Sequence, residues 1–103
     1  MKLRQLGSDE VQQGLDALDN WTLDSLGRSI HKEWKFDSFR TAIDFLLEVA
    51  DVAEVQDHHP DFYSSYKKIK IKLMTHDVGG LSNKDFVLAA DIDRLAANFP
   101  HDK

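Results

Sequence analysis

Apolar positions along the chain change spacing several times, and the changes divide it into seven segments. Val11, Leu15 and Leu18 lie on one face of a first helix, with Ser8 as its expected cap and Asp9 and Glu10 in its first turn. Asp19-Asn20 ends it, and Trp21-Thr22-Leu23 reads as a short strand. A turn at residues 24–28 leads to a second strand, with Ile30, Trp34 and Phe36 on one side and His31, Glu33 and Lys35 on the other. Lys32 interrupts the apolar side. Asp37 or Ser38 caps the longest helix, where Phe39, Ala42, Ile43, Leu46, Val49, Ala50 and Ala53 recur at three and four. Pro60 requires that helix to have stopped, because the residue before a proline avoids helical backbone.

Asp61-Phe62-Tyr63 starts a third strand, and Ser64 to Lys67 is expected to turn. Lys68 to Thr75 alternates strictly, with Ile69, Ile71 and Leu73 inward and Lys68, Lys70 and Lys72 outward. The paired glycines at 79 and 80 permit a bend. Ser82, with Asp85 three residues on, forms a capping box for a last helix whose buried stripe is Leu88, Ile92, Leu95, Ala96 and Phe99. The order α-β-β-α-β-β-α implies an α+β, two-layer fold, with three helices on one face of a four-stranded antiparallel sheet.

At 103 residues the chain is read as a single domain spanning 1–103. With 42% hydrophobic and 30% charged residues it is an ordinary globular composition rather than a disordered one. Thirteen basic against eighteen acidic residues give a net charge of −5, which argues against direct binding to nucleic acid or an anionic membrane. The absence of cysteine excludes thiol catalysis, disulfides and Cys-ligated metal. No apolar run is long enough to span a bilayer, and the first residues are too polar for a secretory signal, so the expected location is cytoplasmic.

Five histidines carry what chemistry the pattern offers. His101 falls in an expected frayed tail and His31 on a wet strand face. His58 and His59 close the long helix, and His76 closes the best strand. Both are junctions where an imidazole can face a cleft and exchange protons near neutral pH. A histidine at a helix C-terminus is equally explained by the dipole. Adjacent His58 and His59 diverge, unlike a helical zinc pair, so no metal site is expected. Glu54, four residues before His58, would orient that ring if the helix reached so far, and Asp85 has a sufficient role as a cap. The lysine row on the fourth strand reads as a solvated face rather than an anion site.

Taken together, Glu54, His58-His59-Pro60, Tyr66, His76 and Asp85 at their spacings resemble the signature of the pterin-4a-carbinolamine dehydratase family. The resemblance runs from about Trp21 to Ile92 and includes Trp34-Lys35-Phe36, Thr75-His76-Asp77 and Gly80-Leu81-Ser82. It implies dehydration of 4a-hydroxytetrahydrobiopterin to quinonoid dihydropterin, with no metal or redox cofactor. It also implies His58 and His76 as the acid/base pair and His59 as a further catalytic-site histidine that orients the pterin. Asp57, Met74, Thr75 and Asp77 would complete the substrate-binding set, with Glu54, Pro60, Tyr66 and Asp85 as supports. Family members form homodimers and homotetramers, serve aromatic amino acid hydroxylases, and in animals include a dimerisation cofactor of a transcription factor. The resemblance therefore also allows a protein-interaction role.

Overall fold

The computed structural model describes residues 3–102. Three helices, α1 (Ser8–Asp16), α2 (Phe39–Gln56) and α3 (Asn83–Ala96), alternate with β1 (Thr22–Leu23), β2 (Ile30–Lys35), β3 (Asp61–Ser65) and β4 (Lys68–Leu73). The sheet is antiparallel in the order β1-β2-β4-β3. The expected α+β class and element order are therefore what the chain adopts.

The β2–β4 register explains the core. Ile30 opposes Leu73, Lys32 opposes Ile71, and Trp34 opposes Ile69, so these side chains project to one face. Ile30, Ile69, Ile71 and Leu73 are fully buried there, in one cluster with Ala42, Phe45 and Val49 of α2 and Leu88, Ala89 and Ile92 of α3. Phe45 is the hub, with ring centroids 5.2 Å from Trp34, 4.8 Å from Phe36 and 6.0 Å from Phe99. Lys32 is accommodated on this apolar face because Asp93 of α3 meets its ammonium at 2.7 Å while also accepting the Trp21 indole N–H at 3.0 Å. Lys32 also lies 5.3 Å from the centre of the Trp34 ring.

Several local expectations are corrected. Gly7, not Ser8, is the cap of α1, because Glu10 turns back to accept the Gly7 N–H at 3.1 Å; the helix ends at Asp16. β3 continues through Ser64 and Ser65, which pair with Ile69 and Lys68, so the turn shrinks to Tyr66-Lys67 with Tyr66 at φ 53°. Phe39 and Ala50 flank the buried line of α2 and are exposed. His101 is not frayed: it bridges to Phe36, and its Nδ1 lies 2.7 Å from the Phe99 carbonyl oxygen. Among the described residues, no helix is long and apolar enough to cross a membrane.

Candidate functional site

The C-terminus of α2 decides where the tandem histidines point. Asp57 adopts left-handed backbone (φ 50°, ψ 45°). Its N–H reaches the Glu54 carbonyl at 3.2 Å and the His58 N–H reaches the Ala53 carbonyl at 3.0 Å, closing a Schellman motif. The helix therefore stops at Gln56, and the chain reverses before the histidines. His58 turns inward and is buried, while His59 turns outward and is exposed.

The reversal exchanges the expected partners. His58 does not stack on Glu54; its Nε2 lies 2.6 Å from Oδ1 of Asp85, which is fully buried. Glu54 instead faces His59 at 3.6 Å, both side chains being exposed. Asp85 does more than cap α3. Its Oδ2 accepts the Ser82 N–H at 3.0 Å, completing the capping box, and the Thr75 hydroxyl at 2.8 Å. With the Thr75 proton so used, the Ser82 hydroxyl donates to Thr75 Oγ1 at 2.7 Å and accepts from the Lys84 N–H at 3.2 Å. No buried side-chain polar atom among the described residues lacks a partner. A carboxylate only accepts, so His58 donates through Nε2 and keeps Nδ1 as its acceptor nitrogen.

The second histidine comes from the end of β4. Thr75 exchanges backbone contacts with Gly80, its N–H reaching the Gly80 carbonyl at 2.8 Å, and a short 3-10 turn over His76–Val78 fills the loop. Gly79 closes that turn at φ 69°, where a side chain would be strained. Gly80 has a different role. A Cβ there would meet the end of the Gln5 side chain, Nε2 at 2.7 Å, so the second glycine leaves room for that side chain and is not held in a strained bend.

The two junctions face one hollow of about 250 Å³, small for a ligand site and open to solvent at exposed His76. Asp57, His58, His59, Met74, Thr75, His76 and Asp77 all line it. Asp85 stands behind His58, and Glu54 stands behind His59. Pro60 lines a neighbouring apolar notch of about 150 Å³ with Leu46, Val49 and Phe62. Tyr66 is not brought to this hollow. It lies on the β3–β4 turn, exposed, with the Lys67 ammonium 5.2 Å from its ring. Leu3 and Lys84 also line the hollow and went unrecognised in the sequence. Lys84 could have been suspected from its place between Ser82 and Asp85; Leu3 belongs to no periodic segment.

Comparison with known proteins places this geometry in context. The family model described as pterin 4 alpha carbinolamine dehydratase matches residues 4–95. A protein of Rhizobium johnstonii, provisionally named pterin-4-alpha-carbinolamine dehydratase, is 38% identical over 94% of this chain and 96% of its own. A Picosynechococcus protein with the same provisional name is 41% identical over 88% of this chain and 97% of its own. The crystal structure of a transcriptional coactivator/pterin dehydratase from Brucella melitensis superposes with a TM-score of 0.86 at 33% identity. It covers 90% of this chain and 99% of that one.

Proposed function

The chain belongs to the pterin 4 alpha carbinolamine dehydratase family, and from that premise we propose that it dehydrates 4a-hydroxytetrahydrobiopterin to quinonoid dihydropterin. The observation that carries the reading is the convergence of His58, His59 and His76 on one hollow, with a buried carboxylate behind His58. The reaction breaks the bond from the bridgehead carbon to its hydroxyl and removes the proton of the adjacent ring nitrogen. Hydroxide leaves poorly, so an acid protonates the departing oxygen and water is released. The nitrogen's electron pair then forms the carbon–nitrogen double bond while a base takes its proton.

His58 is the base in this reading. Its Nε2–H is held by Asp85, its Nδ1 lone pair is free, and the carboxylate stabilises the imidazolium that forms. His76, exposed at the mouth, is the acid. His59 orients the pterin, held on its outer side by Glu54. Asp57, Met74, Thr75 and Asp77 contribute walls and polar edges. The product, once a separate reductase has added two electrons and two protons, is again the tetrahydropterin used by aromatic amino acid hydroxylases, in the cytoplasm.

The test is a coupled hydroxylase assay on chelator-treated protein. Wild type should accelerate dehydration, and the double variant His58→Ala/His76→Ala should not, with circular dichroism reporting the fold. Unchanged turnover in that variant would remove the roles assigned to both rings.

A second reading, a protein-interaction module, is favoured by uncovered apolar surface. Leu47, Val55 and Phe39 of α2 are exposed, as are Phe62 and Tyr63 on the edge strand β3. A homodimer or homotetramer would cover these faces, and the coactivator wording of the Brucella melitensis protein leaves room for a transcription-factor partner. Light scattering separates the first outcome, an oligomer, from a monomer that must find another partner.

A further inference from the structure

Residues 3–7 form a strap outside any helix or strand whose first residue, Leu3, reaches the hollow, and its course is fixed at several points. The Leu6 N–H bonds to the Leu81 carbonyl at 2.8 Å, and Leu6 packs on the core. Gln5 lies in the space left by the missing side chain of Gly80. Arg4 is paired with Glu10, which also receives the Gly7 N–H. Gly80, beside which the Gln5 side chain lies, accepts the Thr75 N–H through its carbonyl, so the strap adjoins the loop that carries His76.

This course brings Leu3, half-buried, into the lining of the hollow among a strongly polar set. Of the lining residues, Asp57, His58, His59, Thr75, His76, Asp77 and Lys84 are polar, and only Leu3 and Met74 are apolar. A planar bicyclic ring offers its polar atoms at its edge and needs apolar contact on its faces. Leu3 also borders the adjoining groove formed by Gln56, Asn83, Lys84 and Val87, so its side chain stands between the two hollows.

We infer that Leu3 is a substrate-positioning residue, the apolar wall against which the face of the pterin ring rests. The inference rests on the proposed dehydratase reading, but Leu3 lies just outside residues 4–95, the span matched by the family, so membership does not supply it. Loss of the wall removes contact made equally by substrate and transition state, and joins the hollow to the groove beside it.

The experiment compares the full chain with Leu3→Ala and Leu3→Met, measuring dehydration kinetics, 7,8-dihydrobiopterin binding by fluorescence quenching, and melting temperature. Leu3→Ala should raise KM and the dihydrobiopterin Kd together by about fivefold or more, with kcat within about twofold, and Leu3→Met should restore both. An unchanged KM and Kd in Leu3→Ala would overturn the inference while leaving the dehydratase reading intact. A wild-type chain that binds dihydrobiopterin without dehydrating the carbinolamine would sink the dehydratase reading, and the binding arm would still decide the wall. A melting temperature equal to wild type assigns any change to the site rather than to the fold.

Discussion

Nε2 of His58 lies 2.6 Å from Oδ1 of Asp85, joining the reversal after α2 to the first turn of α3 beneath the floor of the hollow. One carboxylate thereby caps a helix, fixes the Thr75 hydroxyl and sets which imidazole nitrogen of His58 carries the proton. Asp85→Asn tests the last role. An asparagine can still accept from Ser82 or Thr75, but its amide donates toward Nε2 and favours the opposite tautomer. The expected result is a fall in kcat of about 10²–10⁴ with a retained fold and a stability loss of about 1–2 kcal/mol. Nitrogen chemical shifts of His58 would report the tautomer directly; an unchanged tautomer with unchanged kcat contradicts the assignment.

The two proposed proton carriers should separate in stability. His76 is exposed on a short turn, so His76→Ala should alter unfolding free energy by no more than about 0.5 kcal/mol. His58→Ala leaves the fully buried Asp85 without its imidazole partner and should cost about 3 kcal/mol. Urea unfolding of the two variants beside their turnover would distinguish catalytic loss from structural loss.

The sequence made most of the frame legible because its periods are clean. Ile69, Ile71 and Leu73 alternate without error, and all three are fully buried. The site was legible by type but not by pairing. Glu54 and His58 have helical spacing, and only the left-handed Asp57 breaks it; asparagine or glycine is the usual signal at such a position, and aspartate gives a weak one. Lys32 looked like a defect in β2 because Asp93, its neutralising partner, comes from a helix sixty-one residues away. Leu3 was silent because a strap outside any helix or strand has no period to read. Tyr66 shared the family spacing, yet its backbone serves a tight turn away from the hollow.

The exposed pair of Glu54 and His59 should behave differently from the buried one. At 3.6 Å between solvated side chains it contributes little, and Glu54→Ala should change stability by less than about 0.5 kcal/mol. If Glu54 holds His59 over the pterin, the variant should raise KM more than it lowers kcat. A kcat collapse would instead mean that Glu54 acts on the proton-transfer rings.

Acid should loosen the strap before it disturbs the core. The Arg4 guanidinium, followed by the Gly7 N–H, holds the Glu10 carboxyl down to about 2, well below the ordinary carboxylate value. A depressed value means that the folded state keeps the charged form, so the contribution is complete above the ordinary range and is lost as pH falls through that range toward about 2. Both side chains of the pair are in contact with solvent, which limits the effect on global stability. The readout is therefore local: hydrogen exchange at Gly7 and Leu6, corrected for the intrinsic rate, should lose protection below the ordinary carboxylate range while amides of β4 remain protected. Glu10→Gln should show the loosened strap at every pH and remove that acid transition. Protection at Gly7 that is unchanged in Glu10→Gln would show that Leu6 and Gln5 hold the strap without the ion pair.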